Sequence, residues 1–148
     1  MYKSLSRLAL AGAFLLLGAC ASVPMATESE DMQAKQASVP AGKSLIYLYR
    51  NETFGAAVKL NVTLDGRDAG ETASKTYFMW TVNPGQHQIV SKGENNASLT
   101  VDAKPGQRYY VWQEVKMGMF QPRSLLHVVD EPTGREGVKE CKLIKGNI

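Results

Sequence analysis

Cysteine and histidine are scarce in this chain: two of each in 148 residues. Cys20 and Cys141 cannot supply the paired-cysteine spacing of a zinc site, and His87 and His127 stand too far apart for a His-x-x-x-His helix. No glycine-rich phosphate loop is present, and no G-x-S-x-G elbow accompanies the serines. Long apolar runs are missing too: "LALAGAFLLLGA" near the start reaches only about a dozen residues, where a span needs about 20. Nor is there a strong excess of one charge. The formal net charge is +3, from 17 basic and 14 acidic residues. Residues 1–19 hold Lys3 and Arg7 and no acid, so the rest carries 15 basic against 14 acidic residues, a net of +1. That balance leaves no basic patch for nucleic acid.

What is present begins at the N-terminus. Two cations followed by the short apolar run form the n-region and h-region of a secretory signal peptide. The stretch Leu17, Gly18, Ala19, Cys20 then resembles the lipobox of bacterial lipoproteins. The resemblance implies cleavage before Cys20 and acylation of that residue, whose thiolate is the nucleophile the reaction needs. Several acyl chains on one residue give stable anchoring, since each buried CH₂ contributes about 0.8 kcal/mol. Ala21 and Ser22, rather than aspartate, follow the cysteine, which by the same resemblance favours the outer membrane, facing the periplasm. With Cys20 so used, Cys141 has no intramolecular partner, and burial near the last strand is its expected state.

Residues 20–42, "CASVPMATESEDMQAKQASVPAG", contain few large apolar side chains and no sustained period, and read as the acylated cysteine followed by a flexible linker. Residues 43–148 change texture. "SLIYLYR" (44–50) is a first strand, and "AAVKLNVTLDG" alternates Val58, Leu60, Val62 and Leu64 with polar residues before an Asp65-Gly66 turn into "RDAGET". Further strands fall at 75–82, 87–92, 97–102, 107–116 and 124–130, divided by "NPGQ" and "AKPGQ" turns. "VKECKLI" (138–144) closes the series, with Thr133 and Glu136 at capping-box spacing ahead of it. Eight or nine short strands without strand–helix alternation predict an all-β antiparallel sandwich.

Several stretches then resemble one family. "GKSLIYLYRNETFGAAVKLNVTLDGRDAGE", "TYFMWTVNPGQHQIV", "PGQRYYVWQEV" and "ECKL" are similar, in that order, to the bacterial proteins grouped as domain of unknown function 2846 (DUF2846). The aromatic strand, Pro-Gly turn and His-x-Ile strand also look like a PEGA-type β-sandwich module. The resemblance implies a small secreted or lipidated β-domain and brings no catalytic residues with it.

The candidate sites are accordingly surfaces. "KMGMFQPR" places Met117, Met119 and Phe120 around Gly118, rimmed by Lys116 and Arg123, and suits a partner protein or lipid headgroups if it is exposed. Tyr77, Tyr109 and Trp112 can stack on sugar rings if a sheet face is open. His87 and His127 read as strand histidines serving packing or hydrogen bonding, and Arg50 and Glu52 as a solvated strand end. Two methionines without a histidine cluster do not make a copper(I) site, so no metal or cofactor is expected. The expected function is non-enzymatic: a module, held to the outer membrane by its lipid anchor, that binds or scaffolds an envelope component, an envelope protein or a glycan. The alternative is a carbohydrate or peptidoglycan binder, and behind it a small hydrolase, which needs a histidine sharing a pocket with a carboxylate or hydroxyl.

Overall fold

The computed structural model describes residues 22–148; the expected signal peptide (1–19) and Cys20 lie outside the described residues. The elements in order are α1 (Glu28–Lys35), β1 (Ser44–Arg50), β2 (Leu60–Leu64), β3 (Arg67–Thr72), β4 (Thr76–Val82), β5 (Gly85–Lys92), β6 (Asn96–Ala103), β7 (Arg108–Lys116), β8 (Arg123–Val129), α2 (Glu131–Lys139) and β9 (Lys142–Leu143). They form an all-β sandwich. A five-stranded sheet in the order β8-β7-β1-β4-β9 packs on a four-stranded sheet in the order β3-β2-β5-β6. The second sheet is antiparallel throughout, but in the first β1 pairs parallel with β7 and β4 parallel with β9.

All seven residues of β1 are buried, because this strand is covered on both faces. Its even-numbered Ile46 and Leu48 join Phe78, Trp80 and Val111 against Val62, Leu64, Ile89 and Val101 of the other sheet. Its odd-numbered Leu45, Tyr47 and Tyr49 face the opposite way, with Tyr77 and Tyr110, under Ala34 of α1 and Val138 of α2. Rings stack on both sides: Phe78 on Trp80 at 5.3 Å, and Tyr47 on Tyr110 at 4.9 Å. A hairpin joins β2 and β3 through Asp65 (φ 52°) and Gly66 (φ 77°), the left-handed pair that a two-residue turn requires.

Two expectations are corrected here. Residues 22–42 are not a flexible linker. Val23 enters the sandwich core, Met25 bridges to Ile144, and α1 lies on the sheet. Thr27 and Glu30 close a reciprocal capping box: Glu30 N–H donates to Thr27 Oγ1 at 3.2 Å, and Thr27 N–H to Glu30 Oε2 at 2.7 Å. The helix is then fixed by Asp31, which is 4% exposed and accepts from Tyr77 Oη at 2.9 Å, Leu143 N at 3.0 Å and Lys35 Nζ at 3.0 Å. Burial pushes the Asp31 carboxyl up, but the Lys35 and Tyr77 donors outweigh it and hold it below the usual range. Polar anchoring thus replaces the apolar burial whose absence suggested a tether.

The segment 138–144 is likewise not one strand. Residues 138 and 139 finish α2, which starts on an Asp130 cap (Thr133 N–H to Asp130 Oδ1, 2.8 Å) rather than a Thr133 box, and β9 is two residues long. Helix α2 lies close on the sheet because Gly134 and Gly137 face it. A Cβ at Gly134 would stand 2.2 Å from Tyr110 Cβ, and one at Gly137 would stand 2.1 Å from Tyr49 Cε2.

Candidate functional site

The end of the sandwich where β1 finishes carries the loop 117–122, because β7 runs on past Arg50 before it turns into β8. The loop is held by a carboxylate from the facing sheet. Glu94, in the β5–β6 turn, accepts the Phe120 and Gln121 amides on Oε2 at 2.8 and 3.1 Å, and its own N–H donates to Pro122 O at 2.9 Å. These two amides hold the Glu94 carboxyl below its usual range. Next to it Asn95 and Ser124 exchange two bonds of 3.0 Å. The backbone is therefore fixed, while the side chains point out: Met117, Met119 and Phe120 are 78%, 80% and 88% exposed. Arg123 stands at the rim with Nε 3.9 Å from Glu94 Oε1.

Beside the loop lies a cavity of about 200 Å³ lined by Phe54, Gly55, Val58, Val115, Lys116, Met117 and Pro122. Two of its lining residues, Gly55 and Val58, are held from behind by Arg50, which the sequence presented as a solvated strand end. Arg50 is instead fully buried, on the same face of β1 as Ile46 and Leu48. It donates to Val58 O at 2.8 Å and Gly55 O at 2.7 Å, and its Nε finds no partner. Those bonds fold residues 51–59 into a loop that places half-exposed Phe54 next to Met117. Glu52, also partly enclosed, accepts the Val115 amide, and burial raises its carboxyl. Gln113 bridges the sheets, donating to Ser91 Oγ and accepting from Thr72 Oγ1, both at 2.6 Å. The signal for Arg50 was its parity with Ile46 and Leu48 in an otherwise apolar strand.

The three ring-stacking candidates do not come together. Tyr77 is fully buried and donates its hydroxyl to Asp31, so it is closed to any ligand, and burial drives its pKa far up. Tyr109 packs against the sandwich core with its hydroxyl accepting the Lys104 amide at 2.8 Å. Trp112 belongs to the other face, where it stacks on His127 at 5.1 Å. A shared glycan platform is ruled out by this: parity along β4 and β7 fixes which residues share a face, but α1 covers Tyr77 and Tyr109 points the other way.

Both histidines are tied to carboxylates. His127 Nε2 lies 2.9 Å from Glu114 Oε2. His87 Nδ1 lies 2.7 Å from Asp65 Oδ2 and its Nε2 2.7 Å from Asn83 O. A carbonyl and a carboxylate both accept, so the two contacts favour the protonated ring, which donates from both nitrogens. Burial lowers its pKa, but the Asp65 and Asn83 acceptors outweigh that and raise it. The ring borders a cavity of about 280 Å³ with Asp65, Arg67 and Asn83, at the opposite end from the 117–122 loop. Cys141 is buried, as expected, with its thiol against Arg50 O at 3.5 Å and pushed up to about 12 by burial. Among the described residues no three of His, Cys, Asp and Glu converge as a metal-ligand set, and no helix is long and apolar enough to cross a membrane.

The profile of the family described as "Protein of unknown function (DUF2846)" matches residues 40–124. That interval runs from just before β1 into the start of β8 and so includes Arg50, Glu94 and the exposed loop. An "Uncharacterized protein" of Haemophilus influenzae (strain ATCC 51907 / DSM 11121 / KW20 / Rd) is 34% identical over 140 residues, covering 93% of this chain and 83% of that protein. No solved structure matches the chain. The chain belongs to the DUF2846 family.

Proposed function

We propose that the protein is a lipoprotein, acylated at Cys20 and held in the outer membrane facing the periplasm, whose domain is a non-enzymatic module that binds or scaffolds an envelope protein. The observation that carries the reading is the exposure of Met117, Met119 and Phe120 on a backbone that Glu94 holds in place. Large apolar side chains left in water on a fixed loop mark contact surfaces, and methionine adapts to irregular partners. Phe54 and the adjoining cavity extend the patch, and Lys116 and Arg123 rim it. The resemblance of the aromatic strand and Pro84-Gly85 turn to PEGA-type modules fits this reading. For the anchor, Leu17 to Cys20 is the support. Palmitate labelling tests the anchor: Cys20→Ala abolishes incorporation and releases the protein from the membrane fraction, and unchanged labelling rejects it. A photocrosslinker at Met119 in intact cells tests the contact. It yields discrete protein adducts that the same group at exposed Thr100, on β6, does not; identical patterns from the two positions reject the loop as the contact.

A further inference from the structure

The chain has almost no slack between Cys20 and the folded domain. Val23 is already in the core at 8% exposed. Lys145 N–H donates to Pro24 O at 2.9 Å, and Ala26 N–H to Leu143 O at 3.0 Å. Three residue steps separate Cys20 from Val23, which reach at most about 11 Å fully extended.

The direction of that short connection is set by pairing. Met25 pairs antiparallel with Ile144, while β9 runs parallel to β4 from Thr76 onward. Traced back from Ala26 to Pro24, the chain therefore heads toward the Val82 end of β4. That is the end with the Asp65-Gly66 turn and His87. The 117–122 loop is at the other end, since β7 runs parallel to β1 and continues past it. The nine residues of β7 span about 30 Å between the two ends.

The turn end also carries cations. At the turn end Asp65 is paired with His87 and Asp102 with Lys104, and Asp68 is held by Asn61 and Asn147, while Lys43, Arg67 and Arg108 have no carboxylate within salt-bridge distance among the described residues. A surplus of cations there matches anionic headgroups.

We infer, resting on the anchor reading above, that the domain is seated directly on the bilayer that holds Cys20. Its turn end meets the lipid headgroups, and the Met117–Phe120 loop faces away from that membrane, about 30 Å above it. The loop's partner is then not the anchoring bilayer.

The test uses the acylated chain in vesicles of phosphatidylethanolamine and phosphatidylglycerol with a trace of nickel-chelating lipid. Spin labels go on Gln86→Cys at the turn end or Met119→Cys on the loop; buried Cys141 does not take the label. Nickel enhances relaxation several-fold more at position 86 than at 119. Equal enhancement, or a larger one at 119, overturns the seating. Mass spectrometry of the N-terminal peptide separates the two ideas. An acylated peptide with no contrast refutes the seating alone, and an unacylated peptide refutes the anchor and the seating with it. Inserting 20 Gly and Ser residues after Ala21 collapses the contrast, and a contrast that survives the insertion overturns the short-reach argument.

Discussion

Two faces of one sheet are held by different physics. On the sandwich side, Ile46, Leu48, Phe78 and Val111 meet Val62, Ile89 and Val101 through carbon contacts, and the hydrogen bonds of Gln113 and Arg50 are confined to the end near the 117–122 loop. On the helix side, Tyr47 and Tyr77 sit among equally buried neighbours but each carries a hydroxyl with an address: Ala34 O at 2.8 Å for Tyr47, Asp31 Oδ1 at 2.9 Å for Tyr77. Lys35 adds a bond to Cys141 O at 2.6 Å. Apolar contact is non-directional and fixes volume, whereas hydrogen bonds fix orientation. The apolar face therefore sets the stability of the sandwich. The tyrosine face decides where α1 lies, and with it where the N-terminal segment leaves the domain.

Removing volume from the first face has the largest effect. Phe78→Ala destabilises the whole domain by about 3–5 kcal/mol, seen as one cooperative shift of the urea midpoint. A loss confined to α1 would break the comparison, because it would place Phe78 in the wrong layer. On the second face the expected loss is smaller and local. Asp31→Asn removes a buried charge that receives three donors and costs about 1.5–3 kcal/mol, read as faster amide exchange in α1 and at Leu143 with the sandwich strands still protected. The pH dependence has a definite sign. The folded Asp31 pKa lies below the ordinary carboxylate value, so the stability it gives is present above the unfolded value of about 3.9 and fades as pH falls through the folded one. In the wild type, α1 loosens in acid below about pH 4; in the Asn variant that acid step is smaller, because only the Glu30 carboxylate of the capping box still contributes to it.

The same contrast explains how much could be read in advance. The strands from β1 to β8 were legible because period-2 alternation and Asp-Gly and Pro-Gly turns are local signals, and the all-β class follows from them. The parallel β1–β7 pairing was not, because it joins residues about 60 apart and depends on the whole sheet assembling. Helix α1 was missed for an energetic reason. Its face buries little beyond Ala34 and Asp31, so no apolar period announces it, and only the Thr27-x-x-Glu30 spacing marked its start. Arg50 misled in the opposite direction, since a charge at a strand end is ordinarily solvated, and here two carbonyls five and eight residues on receive it. The loop at 117–122 was visible as a loop. Its outward side chains were not, because the Glu94 carboxylate that fixes its backbone stands 26 residues earlier in the chain.

The smallest effect expected is also the most discriminating, because two terms of similar size oppose each other in α2. Replacing glycine by alanine in the middle of a helix favours the helix by about 1 kcal/mol. At Gly134 the added methyl would meet Tyr110 Cβ and Cγ at 2.2 Å, atoms next to the strand backbone that no rotamer change moves aside. The helix must therefore lift from the sheet, and overpacking of this kind costs about 1–3 kcal/mol. Gly134→Ala accordingly destabilises by about 1 kcal/mol net, while Glu136→Ala, on the exposed side of the same helix, stays within about 0.5 kcal/mol of wild type. Cys141, 1% exposed just beyond α2, reports the lift: its reaction with a thiol reagent accelerates in Gly134→Ala and not in Glu136→Ala. If Gly134→Ala proves more stable than wild type, helix propensity has outweighed the contact. The tyrosine face would then be no more tightly specified than the apolar one.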